Sequence, residues 1–458
     1  MKHANGRTVT AHLTHEGEYF GPLGPYEVDG GWWSSAAPVV ERVTEELGVP
    51  VVVLRLAAAQ SETGGHGGHV VYHVEALERP AGPAPRQAPP EVAALLGPAE
   101  RRAGWATTAG LRETLDWAEQ ALDRAGRPAA GKPQQVRTWN LSGLFRFRTA
   151  DGGEAWLKAI NPAFNAREGD VIALLGSADP TLVPPVLGSD PERGRLLLDH
   201  VPGEDCWGPS AEEVADVVPR LVAAQAALAA DGRAAAAGLR DRTLPTLVAH
   251  VNALLDRLAA EHAAHASEPD GDGAGTDGLT DKPADDLADD LTHKPAAEPA
   301  AEAADGLPED RLTAAELAAA RALAARLPAL VEELTACGLP DTLLHGDFHP
   351  GNWRTDGTRS VVVDYADSAF GHPALDGLRP RQYVDGERWA QVAEVWARAW
   401  REHVPGSAPE RALELVEPLY HLAYAVRYQE FLDHIETSER PYHETDPVSE
   451  IRAALAAS

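Results

Sequence analysis

The chain of 458 residues is poor in cysteine, in lysine and in long apolar runs. Cys206 and Cys337 are its two cysteines, too few for a disulfide scaffold, and such scarcity fits a reducing compartment. No run approaches the roughly 20 apolar residues of a membrane span. The stretch from Met1 to Phe20 is polar and mixed, without an apolar signal segment, so the sequence reads as cytoplasmic. Basic charge is short too, with 40 Lys and Arg against 70 Asp and Glu and a formal net charge of −30. That balance argues against nucleic acid and anionic membranes as partners, because both demand basic surface. It mildly favours a cationic small molecule. The inference is discounted by Ser267 to Asp310, where fourteen acids face two lysines and twelve of the thirty excess charges sit. Low apolar content and high net charge predict disorder there, over about 266–310.

Lysine scarcity is informative. Lys2, Lys132, Lys158, Lys282 and Lys294 stand against thirty-five arginines, and Lys158 alone falls inside a predicted strand.

The length allows two or three domains with real cores. Residues 1–100 read as a small α/β unit. Thr8 to Leu13 alternates as a strand, and Ala37 to Leu47 has helical spacing ended by Gly48. Strands follow over Val49 to Ala57 and His69 to Leu77 around the Gly/His-rich turn Gly64 to Gly68. The run Val43-Thr44-Glu45-Glu46-Leu47-Gly48 resembles the end of a Nudix box. The preceding pair is inverted (Glu41-Arg42) and the upstream Glu is absent, so a helix ending in two glutamates is the reading taken. His66, His69 and His73 read as solvated rather than metal-binding.

Residues 101–133 form a linker and helix, the helix running from Thr107 to Ala125 after the Pro/Ala-rich stretch Arg79 to Pro90. Residues 134–202 hold strands: Gln135 to Trp139, Leu144 to Thr149, Glu154 to Ile160, Val183 to Leu187 and Arg195 to Leu198. Residues 203–458 turn helical, with capping boxes at Ser210/Glu213 and Thr313/Glu316 and two long closing helices over Asp385 to His403 and Pro409 to Glu436. In the last of these, Tyr420, Tyr424, Tyr428 and Phe431 form a helical stripe that reads as core.

The chemistry concentrates in Leu343-Leu344-His345-Gly346-Asp347-Phe348-His349-Pro350-Gly351-Asn352, followed by three valines and Asp364-Tyr365. A carboxylate and a carboxamide five apart on one loop, closed by an aspartate at the end of the next strand, suit phosphoryl transfer. That reaction needs a carboxylate near the attacking hydroxyl and oxygen ligands on magnesium. Asp347 is the expected base, and Asn352 and Asp364 the expected metal ligands. An ordinary polar turn between two strands is the plain alternative. Alternating His345, Asp347 and His349 could instead bind zinc in a metal-dependent hydrolase, but the further His or Cys ligands that reading needs are not evident.

The pattern His-Gly-Asp-x-His-x-x-Asn with a following hydrophobic-Asp-Tyr resembles the catalytic and metal loops of the aminoglycoside phosphotransferase and choline kinase-like family. The resemblance covers about 134–458, apart from the acidic segment. It implies an α+β, bilobal, protein-kinase-like fold, here preceded by a small α/β cap similar in position to that of maltokinase- and glucosamine kinase-like members. It implies ATP, with GTP as the alternative nucleotide, and Mg²⁺ as cofactors, and a small-molecule hydroxyl acceptor. By the same resemblance Lys158 grips the phosphates and Glu168 holds Lys158. Asn140, Ser142 and Gly143 form the hairpin over the phosphates, and Asp199 and Val201 belong to the hinge whose backbone meets the adenine edge. His349 steadies the catalytic loop, and Asp376 braces it by hydrogen bonds. The last helices wall the acceptor site, where Glu430, Asp433 and Glu436 could meet an amine or sugar hydroxyls. A pseudokinase that binds nucleotide and uses the cap as its output is the rival from another class. Neither the acceptor nor the oligomeric state is legible in the sequence.

Overall fold

The structure, a computed structural model, describes residues 6–61, 64–82, 84–165, 167–266 and 311–458; the acidic stretch 267–310, for which disorder was expected, lies outside the described residues.

The chain opens with β1 (Arg7–His15), β2 (Glu18–Val28), α1 (Ala37–Leu47), β3 (Val51–Gln60) and β4 (His69–Ala76). The four strands form one sheet in the order β2-β1-β4-β3, with β1 and β4 parallel and the other neighbours antiparallel. Helix α1 starts with a proline in its first turn, and Gly48 ends it in the left-handed region at φ 69°, donating its N–H to the Thr44 carbonyl. Strand β2 escapes sequence reading because Gly21, Pro22, Gly24 and Pro25 punctuate it. It tolerates them because it lies at the sheet edge.

Next come α2 (Pro90–Leu96) and α3 (Thr108–Arg124), the latter capped by the Thr107 side chain. Strands β5 (Gln134–Thr138), β6 (Ser142–Arg148) and β7 (Glu154–Ile160) follow. Helices α4 (Pro162–Asn165) and α5 (Glu168–Ala178) and strands β8 (Val186–Asp190) and β9 (Arg195–Asp199) complete this region. Its sheet runs β5-β6-β7-β9-β8, antiparallel throughout. Alternation along β7 buries Ala155, Leu157 and Ala159. One apolar cluster joins Phe145, Phe147, Leu157 and Leu197 of this sheet to Leu111 and Leu122 of α3 and to Val52 and Leu54 of β3. The first sheet is thereby packed onto the second.

The remainder is mainly helical: β10 (Glu204–Asp205), α6 (Ala211–Ala230), α7 (Arg233–Ala236), β11 (Asp241–Arg242), α8 (Leu244–Ala266) and α9 (Ala314–Ala336). Both capping boxes form as expected, at Ser210/Glu213 on α6 and Thr313/Glu316 on α9. Short strands β12 (Thr342–Leu344), β13 (Trp353–Thr355), β14 (Ser360–Val362) and β15 (Ala369–Gly371) carry the loop region. Helices α10 (Ala374–Leu378), α11 (Gly386–His403), α12 (Pro409–His434) and α13 (Asp446–Ala456) close the chain. Sequence reading missed α13, which buries Val448, Ile451 and Ala454.

Between α12 and α13 the chain returns to the first sheet. Tyr442 joins that sheet's core, 5.4 Å from Trp33 between ring centres. Ser438 donates to the Leu56 carbonyl at 3.0 Å, and Glu436 pairs with Arg55 at 3.4 Å and Arg102 at 2.8 Å. No helix among the described residues is long and apolar enough to cross a membrane.

Candidate active site

Strand β12 delivers the loop 345–352 into the cleft between the β5–β9 sheet and the helical part. Gly346 makes the turn at φ 82°, and a Cβ there would collide with the Asp367 carbonyl, so only glycine fits. His345 is fully buried; its Nδ1 accepts from the Asp347 N–H at 3.2 Å and its Nε2 lies 3.1 Å from the Val363 carbonyl. Burial pushes its pKa down to about 4, so the neutral ring acts as a fixed strut.

Asp376 is the second brace. Its two oxygens accept from the N–H of His345 at 2.7 Å and of Gly346 at 2.9 Å, and Gln225 donates to it at 2.8 Å. Burial raises its pKa to about 6 against those bonds. The geometry is the loop-holding role expected for Asp376. Gln225 was not foreseen, although a glutamine among the apolar positions of α6 (Val217, Val218, Leu221, Val222) was a usable signal.

Asp347 sits at the loop's tip. Arg379 Nε reaches its Oδ1 at 2.8 Å, and His349 Nε2 lies 3.5 Å from its Oδ2. Burial alone would raise the carboxyl's pKa, but the Arg379 guanidinium and the His349 hydrogen bond outweigh it and hold the group well below the ordinary carboxylate range. His349 itself is tied to the loop, its Nδ1 accepting from the Gly351 N–H at 3.1 Å. Asn352 donates through Nδ2 to the Asp347 carbonyl at 2.9 Å, and its Oδ1 accepts no hydrogen bond among the described residues.

Asp364 follows β14 at φ 65°, an uncommon conformation for a residue with a side chain. Its Oδ1 lies 2.6 Å from Lys158 Nζ on β7, and the same ammonium lies 2.9 Å from Glu168 Oε2 at the start of α5. Burial opposes the Lys158 charge, but the two carboxylates prevail and its pKa is raised; the half-exposed Asp364 carboxyl is held below its ordinary pKa by the lysine. Glu168 also accepts the Tyr365 N–H at 3.1 Å, joining α5 to the segment after Asp364. The structure thus gathers Asp347, His349 and Asn352 on one loop, and Lys158, Glu168 and Asp364 around one cation.

The remaining expected residues make the following contacts within the chain. The Asn140 side chain is buried with neither Nδ2 nor Oδ1 hydrogen-bonded among the described residues, Ser142 Oγ accepts from Trp139 at 3.2 Å, and Gly143 packs against Trp105. Asp199 pairs with Arg127, and its N–H donates to Pro185 at 2.8 Å. The Val201 carbonyl accepts from Arg354 at 2.8 Å. Glu430, Asp433 and Glu436 are not free to meet an amine, because Arg242, Arg257 and Arg102 respectively pair with them. Tyr420 and Tyr424 are core, as expected, and also hold the site: Tyr420 OH accepts from Arg379 at 3.0 Å and Tyr424 OH donates to the Gly346 carbonyl at 2.8 Å. Arg379 was missed altogether, since nothing local distinguishes it among thirty-five arginines.

Among the described residues no three His, Cys, Asp or Glu side chains converge as a metal set, so the zinc-hydrolase alternative gains no support.

Residues 140–415 match the Phosphotransferase enzyme family (APH), and the chain belongs to that family. It is an enzyme that transfers phosphate to a hydroxyl, on a bilobal protein-kinase-like α+β fold. The chain is similar to the macrolide 2′-phosphotransferase MphH of Brachybacterium faecium (18% identity over 75% of this chain and 97% of that one, TM-score 0.43). It is similar as well to a choline kinase of Cryptosporidium parvum (11%, 70% and 88%, 0.44) and to APH(2″)-IIa in complex with gentamicin (14%, 74% and 97%, 0.44). No curated protein matches the chain.

Proposed function

We propose that the protein is an ATP- and Mg²⁺-dependent kinase that transfers the γ-phosphate to a hydroxyl of a sugar, aminosugar, amino alcohol or aminoglycoside. The observation that carries the reading is the joint placement of Asp347, Asn352 and Asp364 opposite the Lys158–Glu168 pair. Nucleotide binds between the lobes, with Lys158 on its phosphates and the β5–β6 hairpin and the 199–203 segment as neighbours; the Val201 N–H, without a partner among the described residues, suits the adenine edge.

The oxygen-only donors Asn352 Oδ1 and the Asp364 carboxylate fit a magnesium ion. When bound, that ion supplies charge neutralisation at the phosphates. Asp347 orients the acceptor hydroxyl and receives its proton as the oxygen bonds to the γ-phosphorus and the bridging oxygen to the β-phosphorus departs with ADP. Because Arg379 keeps Asp347 a weak base, positioning is its first task and proton transfer comes late.

The division that goes with this reading is a cap over 1–100, a linker and helix over 101–133, an N-lobe over 134–202 and a C-lobe over 203–458. A magnesium-dependent ADP-release assay across aminoglycosides, aminosugars, neutral sugars and amino alcohols tests it, run beside Asp347→Ala. Turnover with an acceptor, reduced about 10²–10⁴-fold in the variant, is expected. Undiminished turnover in Asp347→Ala would overturn the assignment, and ATP binding without turnover of any acceptor would favour a pseudokinase.

A further inference from the structure

Trp207 is 49% exposed, the most open of the exposed large apolar side chains among the described residues. It follows β10 and lies directly on the catalytic loop. A Cβ on Gly351 would run into its indole, so the ring rests on bare backbone there. Behind it stand His349, 5.5 Å away between ring centres, and Tyr383, 6.0 Å away; these two rings stack on each other at 4.1 Å and 11°. His349 is 3.5 Å from Asp347, so one run of aromatic contacts leads from solvent to the proposed base. Tyr383 is fixed in turn by Arg379, which donates to its hydroxyl at 2.6 Å. A half-exposed indole on a rigid backing, one residue from a catalytic carboxylate, is a binding face rather than a core element.

The surrounding charges say what kind of molecule it takes. Asp347 is paired with Arg379, Asp367 with Arg427, and Asp205, two residues before Trp207, with Arg354 at 2.7 Å. A polyammonium acceptor needs carboxylates of its own, and recruiting these would take the charge partner from the buried Arg379 and Arg427 and from the partly exposed Arg354. A saturated ring with axial C–H bonds needs none. Its apolar face lies on the electron-rich face of an indole while its hydroxyls stay polar-side out.

We propose that Trp207 is the acceptor-stacking, specificity-determining residue, and that the acceptor is a neutral pyranose-like ring rather than a polyamine. The proposal rests on the phosphotransfer reading above.

The test measures ADP release with glucose, maltose, glucosamine, choline and a polycationic aminoglycoside, for the wild type, Trp207→Ala and Trp207→Phe. The expected result is preference for a neutral ring, with its KM raised about tenfold in Trp207→Ala. Trp207→Phe restores most of that loss, and the KM for ATP is the same in all three. Preference for the polycation, an unmoved acceptor KM, or a shift in the ATP KM instead would overturn the proposal while leaving the kinase reading standing. If no acceptor yields ADP, the phosphotransfer reading itself falls, and the proposal with it.

Discussion

Arg379 sets both Nε and Nη2 at 2.8 Å from the same oxygen, Oδ1, of Asp347. The guanidinium is itself clamped by Tyr420 and Tyr383 and stacked 4.5 Å over the Tyr424 ring. The proposed base is therefore held by a buried cation that cannot rotate away.

Replacing Arg379 by Gln removes the group that keeps Asp347 ionised. With the carboxyl's pKa held low, the wild-type rate has no acidic limb from Asp347 near neutral pH. In Arg379→Gln the pKa rises, so activity is lost as pH falls through a higher value than in the wild type. A pH profile of kcat/KM checks this, with a fall of about 10–100-fold at pH 7 expected from the lost orientation. An unchanged profile would show that the ion pair is idle.

Lys158→Ala leaves Glu168 and Asp364 facing each other without the shared ammonium. Removing one partner of a buried pair costs about 3–5 kcal/mol. The solvent-open side of Asp364 puts the expectation at the lower end. Urea unfolding of the ligand-free protein measures it, and calorimetric titration should show ATP affinity reduced at least tenfold.

Asp376→Ala strips the acceptors from two loop N–H groups, those of His345 and Gly346, and from Gln225. Each buried donor left unsatisfied costs about 1–3 kcal/mol. Both stability and turnover should drop, though Asp376 touches neither substrate. A variant that loses turnover at unchanged stability would contradict the bracing role.

Glu439 supplies a pH signature remote from the chemistry. Burial, and then the neighbouring Glu436, push its pKa up to about 8 from an ordinary 4.5. The folded protein therefore holds a proton the unfolded chain releases, and stability is lost as pH rises between those values, by up to about 1.4 kcal/mol per unit. Glu439→Gln should raise Tm at pH 8 and flatten its pH dependence between pH 5 and 8. A variant that melts lower at pH 8 would refute this.

Much of this protein was legible because its signals are local. Helix starts at Ser210 and Thr313 are written as capping boxes, and β7 was read to its end residues because alternation is a property of neighbours. The loop motif around Asp347 was legible because its spacing in sequence is its spacing on one turn. Strand β2 was hidden since glycine and proline have the same local meaning in a turn as on an edge strand, and only neighbouring β1 decides between them. Glu430, Asp433 and Glu436 looked available for an amine because their arginine partners are far away in the chain, Arg102 lying 334 residues from Glu436.

By itself the sequence determined most of the long helices and most strands, the family motif, and the lysine, aspartates and asparagine that fit phosphotransfer, because periodicity, capping and motif spacing act over a few residues. The tertiary structure alone decided that Arg379 sits on Asp347, that Trp207 stands open beside it, and that Asp347, Asp367 and Asp205 are paired with arginines. Those facts depend on which distant side chains share a cleft once apolar burial has packed the lobes together, and charge pairing across such distances leaves no trace in local sequence.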